Sequence, residues 1–281
     1  MQRIFLLRAY GDFVIALQAI IRSNTKIHIV ASDHLKPLYN ALLATNAIQD
    51  LSIEFIALGI QHGQLSFFTN KYLFSFSSYQ SLQRLKYYIQ SNPNKAGVDY
   101  IEQDRRVSFL NFLTGHIFKP VVQRNINVYQ AYVTWLSIPT IKEEATNAPK
   151  INDVNGLNVL IIPDARIQKR VLQPTLLNQL KQYIVDKAAT YKVARMKHAL
   201  DGTDMVYYNF DELVQYILAA DFVVCSDSLP AHLAYFFKKP HYIFYPKNGM
   251  TQFFTPYALL NNSVGHFEQL NFSFLNQSGA A

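Results

Sequence analysis

The sequence predicts an α/β protein built from two Rossmann-like units, and three observations carry that reading. Short, continuously apolar runs such as RIFLLRA (3–9) and DFVVCS (221–226) alternate with segments of helical period, the pattern of parallel sheets covered on both faces. The alternation breaks at 139–158, PTIKEEATNAPKINDVNGLN, which has two prolines, many polar residues and hardly any apolar periodicity. It then restarts. Two βαβ series separated by a linker predict two domains, 1–145 and 146–281, facing each other across a cleft.

Element by element, RIFLLRA is the first strand, and after the turn YGD the segment FVIALQAIIRSN has helical spacing. KIHIVAS (26–32) is the second strand, with Asp33 as a suitable N-cap for HLKPLYNALLATN. LSIEFIAL is the third strand, and SSYQSLQRLKYYIQSN is an amphipathic helix that stops before Pro93. GVDYIEQD reads as a fourth strand and 124–138, RNINVYQAYVTWLSI, as a helix. Past the linker come strand NVLIIP (158–163), helix QPTLLNQLKQYIVDKAA, strand KVARM, helix NFDELVQYILAA, strand DFVVCS, helix LPAHLAYFF and strand HYIFYP.

Composition narrows the class. With 281 residues, half of them hydrophobic, 14% aromatic and 16% charged, the chain is a folded globular protein with enough length for two full cores. The single Cys225 excludes a disulfide framework, fits a reducing compartment and, lying in an apolar run, reads as a buried inert thiol. The start, MQRIFLLRAYGDFVIALQAII, is interrupted by Arg8 and Asp12 and is followed by no small-residue cleavage site, so it reads as strand and helix rather than a signal peptide. No run reaches the length of a membrane span. These features predict a cytoplasmic protein. Residues 1–150 hold 15 Lys/Arg against 9 Asp/Glu (+6), and residues 151–281 hold 11 against 10 (+1). A basic first half points to an anionic partner, with a solvated basic face as the plain alternative; no nucleic-acid motif accompanies it.

Three polar groupings fall where parallel strands end, the edge at which open α/β sheets bind ligands. In RAYGDF (8–13), Gly11 permits a tight turn and Asp12 stands at the start of the next helix, as a general base or as a helix cap. The three-glycine dinucleotide fingerprint is missing, so NAD binding is unsupported. In IPDARIQKR (162–170), Arg166, Lys169 and Arg170 put cations in a strand-to-helix loop, either to hold a diphosphate or as an ordinary solvated loop. In CSDSLPAHL, Ser226, Asp227, Ser228 and His232 surround a helix start where free N–H groups favour an anion. Asp227 or Ser228 would cap that helix, and His232 is a ligand neighbour or a satisfied structural histidine.

These stretches resemble a known family. NFDELVQYILAADFVVCSDSLPAHLAYFFKKPHYIFYP resembles the signature of the heptosyltransferase-like enzymes of glycosyltransferase family 9. That signature is a helix ending in an Ala-Asp pair, an apolar strand, D-T/S-G-x-x-H-L-A-A-x-x-x-K-P and another apolar strand. Asp221, Asp227, Ser228, His232, Leu233, Ala234, Lys239 and Pro240 match it in register. RIFLLRAYGDFVIALQAI is similar to the family's ILLIRLSSIGDVVLALPAL, NINVYQAYVTWLSIP to its helix before the linker, and IPDARIQKRVLQP to x-P-G-A-S-x-x-x-K-x-W-P. Leu229 stands at a glycine position, Arg170 stands where the family has Lys, with Lys169 adjacent, and the Trp-Pro pair is not reproduced.

The resemblance implies a GT-B fold and an inverting glycosyltransferase. Such an enzyme would move a heptose or related sugar from a nucleotide-diphosphate donor, ADP-linked or otherwise, to a hydroxyl of a cell-envelope glycan or glycolipid such as lipopolysaccharide core. Asp12 would be the base; Lys169, Arg170, Ser226, Asp227, Ser228 and His232 would form the donor-diphosphate site. No cofactor is implied. The eight histidines are scattered and Cys225 has no partner at ligand spacing, so no metal is expected. The partners would be a nucleotide sugar and an anionic glycolipid or glycan acceptor, with no nucleic acid and with peripheral contact at the inner face of the cytoplasmic membrane. A non-catalytic binding or assembly protein of the same fold, or a nucleotide-sugar epimerase, are the alternatives.

Overall fold

The computed structural model describes residues 2–49, 51–59, 76–94, 97–103, 107–123, 125–138, 154, 156–185, 187–188, 190–198, 200, 203–246 and 251–267. The chain divides into two compact units, 1–139 and 140–281. Most of the expected linker, residues 139–153 and 155, lies outside the described residues.

The first unit runs β1 (Gln2–Leu6), α1 (Tyr10–Ile20), β2 (Ile27–Ser32), α2 (Lys36–Leu43), β3 (Ser52–Ile56), α3 (Phe76–Ser91), β4 (Asp99–Gln103), α4 (Val107–Thr114), β5 (Phe118–Val122) and α5 (Val128–Leu136). Its sheet has the order β3-β2-β1-β4-β5 and is parallel throughout. Ile4, Phe5, Leu6 and Leu7 are fully buried, as a central parallel strand requires. One face packs Phe5, Leu7 and Val30 against Leu82, Leu85 and Ile89 of α3. At the N-terminal edge Arg3 grips Asp99 through two contacts, Nε–Oδ1 at 2.9 Å and Nη2–Oδ2 at 2.5 Å, and Asn94 and His116 also bond the same carboxylate.

Two local expectations change. Asp33 does not cap α2: Asp33–Leu35 is a 3₁₀ turn and α2 starts at Lys36. Pro37 has no N–H to give the Asp33 carbonyl, so an α-helix cannot run through that position, and the Lys36 N–H reaches Asp33 instead. The helix expected over 124–138 is trimmed to Val128–Leu136, because the Asn127 side chain caps it and Ser137 ends it in the left-handed region at φ 52°.

The second unit runs β6 (Asn158–Ile162), α6 (Pro174–Val185), β7 (Thr190–Met196), β8 (Met205–Tyr207), α7 (Phe210–Ala219), β9 (Phe222–Ser226), α8 (Leu229–Phe236), β10 (His241–Tyr245), α9 (Pro256–Leu260) and β11 (Val264–His266). Its sheet order is β11-β10-β9-β6-β7-β8, again parallel. Counted within the unit this is 3-2-1-4-5-6, the Rossmann order, and the first sheet is the same order without its last strand. In such sheets the chain reverses its direction of travel between the two central strands and leaves a crevice at their C-terminal ends. Those strands are β1 and β4 in one unit and β6 and β9 in the other.

Candidate active site

Each polar grouping can now be placed on a switch point. In the second unit, β6 delivers Pro163 and Asp164, and β9 delivers Ser226, Asp227 and Ser228 directly beside them. Ser226 is fully buried and its hydroxyl donates to the Pro163 carbonyl at 2.9 Å. Ser226 thereby laces the two strand ends together. Ser228 occupies the N-cap position of α8, but its hydroxyl donates to the Asp164 and Ser226 carbonyls, both at 3.2 Å, rather than capping the helix.

Asp227 is 2% exposed, and Arg170 approaches it twice: Nη1 donates to the Asp227 carbonyl at 3.3 Å and lies 3.2 Å from Oδ2. Burial raises the Asp227 pKa and the Arg170 charge opposes that rise. This pairing directs the Asp227 charge at Arg170. Nε and Nη2 of Arg170 have no partner among the described residues, and Lys169 beside it is exposed. His232, one turn into α8, is buried and its pKa is lowered to about 3, first by desolvation and then by His241 and Arg170, so it is a neutral imidazole. Cys225 is fully buried, and burial followed by the Asp227 charge pushes its thiol pKa up, which makes it unreactive.

Other signature residues build the scaffold. Asp221 accepts the Asn158 backbone N–H at 2.9 Å and its side-chain amide at 2.8 Å, fixing the start of β6 beside β9. Lys239 reaches back to the Ala220 carbonyl through its side chain at 2.9 Å, and the end of α8 is closed by the Lys238 N–H, at φ 56°, on the Tyr235 carbonyl and the Lys239 N–H on the Ala234 carbonyl. Asp164, which the sequence reading passed over, clamps the end of β7 through Arg195 Nη1 at 2.8 Å and the Met196 N–H at 2.7 Å.

In the first unit Asp12 is the third residue of α1 and half-buried; the capping position is Ala9, so the capping alternative for Asp12 falls. A carboxylate in a first helical turn is favoured by the helix dipole. His34 braces the turn before it, bonding the Arg8 carbonyl through Nε2 at 2.8 Å and Ser32 through Nδ1 at 2.8 Å, with its ring edge-on to Tyr10. Glu102 at the end of β4, which sequence reading did not single out, is 1% exposed, accepts the Leu7 N–H at 3.0 Å and has Arg8 Nε 3.9 Å from its other oxygen. The available signal was a glutamate inside GVDYIEQD, a strand otherwise expected to be covered. Tyr132 of α5 completes the group: its pKa is raised well above normal by burial and then by the charges of Glu102 and Asp12. A shallow hollow of about 650 Å³ lies elsewhere in this unit, between Ile56–Leu58 and α3, and contains none of these groups.

Among the described residues no three His, Cys, Asp or Glu side chains converge as a metal site, and no helix is long and apolar enough to cross a membrane. No protein-family model and no curated protein matches the sequence. Solved structures do. The chain is similar to E. coli heptosyltransferase WaaC with ADP, at 12% identity over 98% of each chain with a TM-score of 0.57, and to the same enzyme with ADP-2-deoxy-2-fluoro heptose at equal figures. It is also similar to a glycosyl transferase family 9 protein from Veillonella parvula, at 10% identity over 94% of this chain and 84% of that one, with a TM-score of 0.56. Two Rossmann-ordered parallel units and these likenesses together give the protein the α/β fold of the heptosyltransferase-like enzymes of glycosyltransferase family 9.

Proposed function

We propose that this chain is an inverting glycosyltransferase that uses a nucleotide-diphosphate sugar. The observation that carries the reading is the pair of switch points: one presents a carboxylate in a first helical turn, Asp12, and the other a cation, Arg170, beside a helix N-terminus. A base for a hydroxyl and a positive site for a departing diphosphate are the two requirements of the reaction. Asp12 takes the acceptor's hydroxyl proton as that oxygen forms a bond to the anomeric carbon from the face opposite the leaving group. The bond from carbon to diphosphate oxygen breaks, its electron pair leaves with the diphosphate, and the anomeric configuration inverts. Arg170, Lys169 and the α8 N-terminus meet the charge that develops on the diphosphate. Ser226, Ser228, Asp227 and neutral His232 shape that site, and no resident cofactor takes part.

The two WaaC structures carry ADP and an ADP-linked fluoro-heptose, which supports an ADP-linked heptose or related sugar as donor here. The basic first half supports an anionic acceptor, a cell-envelope glycan or glycolipid such as lipopolysaccharide core, met in the cytoplasm at the inner face of the membrane. In this scheme the acceptor belongs to residues 1–145 and the donor to residues 146–281. Leu229 at the family's glycine position favours one second reading, a binding or assembly protein that no longer turns over.

A thermal-shift screen with ADP, UDP, GDP, CDP and dTDP tests the proposal. At about 100 times its dissociation constant a ligand adds roughly 2.7 kcal/mol of stability. The expected outcome is a shift with ADP that Arg170→Met abolishes. No shift with any of the five overturns the transferase reading and leaves the binding-module reading standing.

A further inference from the structure

The transfer scheme gives Glu102 no part, although Glu102 sits on β4 next to β1 at the switch point and is 1% exposed. Unlike Asp99 at the other end of the same strand, it has no bidentate partner. Oε2 accepts the Leu7 N–H at 3.0 Å; Oε1 has Arg8 Nε at 3.9 Å and no hydrogen bond. Leu7 and Arg8 are the residues by which β1 leaves the sheet for α1, five and four positions before Asp12. The Tyr132 hydroxyl, arriving from α5, is also buried without a hydrogen-bond partner. The groups that face Glu102 are thus Arg8 from the turn, Asp12 from α1 and neutral Tyr132 from α5.

A carboxylate removed from water needs most of its lone pairs satisfied, and one N–H with a guanidinium outside hydrogen-bonding distance falls short of that. When two carboxyls repel, the more buried one keeps the proton. Burial and then the Asp12 charge raise Glu102 well above the usual carboxyl range, against the opposing pull of Arg8 and the Leu7 N–H.

We infer that Glu102 is the positioning residue for Asp12: in its neutral form it anchors the β1–α1 turn through Leu7, and the carboxyl pair carries one negative charge, which sits at Asp12. The inference rests on the reading of Asp12 as the base. It makes the exit of β1, rather than α1 itself, the part that holds the base in place.

Glu102→Gln keeps a neutral acceptor for the Leu7 N–H, and Glu102→Ala removes it. In a transfer assay with an ADP-linked donor, the Ala variant should lose on the order of 10²-fold in kcat with donor KM changed less than about twofold, as expected for a misplaced base. The Gln variant should recover kcat to within about threefold of wild type. A second readout needs no turnover: the infrared carboxylic-acid band of Glu102, identified by its loss in the Gln variant, should be present at neutral pH. Its titration midpoint should fall in Asp12→Asn, where the repelling charge is gone. A Gln variant as poor as the Ala variant, a Glu102 ionised at neutral pH, or a midpoint indifferent to Asp12→Asn overturns the inference. If the Ala variant does not fold, the Gln variant and the infrared titration still decide it. If wild type transfers no sugar, the transferase reading falls on that result alone, and the titration still decides whether the two carboxyls share one charge.

Discussion

Replacing Arg170 by Met keeps most of the aliphatic stem and deletes the cation 3.2 Å from Asp227. Removing one partner of a fully buried ion pair costs about 3–5 kcal/mol. Two features lower that figure here: the Arg170 side chain is 23% exposed, and Asp227 can take up a proton instead of remaining charged. The expected loss is therefore about 1–2 kcal/mol above neutral pH. Its pH dependence follows from the direction of the Asp227 shift. Burial already holds the folded pKa above the unfolded one, and without Arg170 the folded value rises further. Between the two values the folded variant binds a proton that the unfolded chain does not, so its stability falls as pH rises. Below the unfolded value, about 4, both states are protonated and the difference between wild type and variant shrinks to lost packing. Urea unfolding of wild type, Arg170→Met, Asp227→Asn and the double variant, at about pH 4 and about pH 8, measures this as a coupling energy. Additive single effects at both pH values would refute the pairing that directs the Asp227 charge at Arg170.

Other outcomes follow from the same geometry. Asp12→Asn should lower kcat by about 10²–10⁴-fold, the usual range for a general base, while the ADP thermal shift stays as in wild type; a variant that keeps its kcat would remove Asp12 from the reaction. His232 and His241 have folded pKa values of about 3 and about 4, both lowered chiefly by burial. The unfolded chain therefore binds protons that the folded chain excludes, and the urea midpoint should fall as pH drops from about 6.5 toward 4, less steeply in His241→Gln; a flat midpoint contradicts the burial. Lys239→Ala should lower stability by about 1–1.5 kcal/mol through loss of its bond to the Ala220 carbonyl and leave ADP binding unchanged, readable by calorimetry and the nucleotide screen together.

How much of this could be read from the chain depends on what each residue is doing. β1 and β9 were legible because a strand buried on both faces must be apolar throughout, and a run such as FVVCS has few other uses. β5 was not: among the described residues it is an edge strand, with Lys119 exposed and Pro120 in its middle, where a missing N–H costs least. β8 and β11 have three residues each, too short for any period to show. Asp12, Arg170, Asp227 and Ser228 could be placed after their strands from the sequence, because turn residues at strand ends follow the chain locally. Glu102 was missed because its partners, Leu7 and Arg8, lie more than 90 positions away and become neighbours only through the β1–β4 pairing. Ser226 was seen, yet its use depended on Pro163, 63 positions earlier.

The division of labour between the signature stretch and the β1–α1 turn bears on how such proteins diverge. Asp221 and Lys239 hold backbone to backbone, one joining β6 to the start of β9 and the other tying the end of α8 to the end of α7. Their loss would be felt in folding whether or not any sugar is ever moved. Asp12 does not cap α1, so its replacement leaves the helix start in place. In the transferase reading, a descendant that abandoned transfer would keep the former under selection for stability and release the latter. Persistence of the signature is then a record of ancestry, and the state of the β1–α1 turn is the record of occupation.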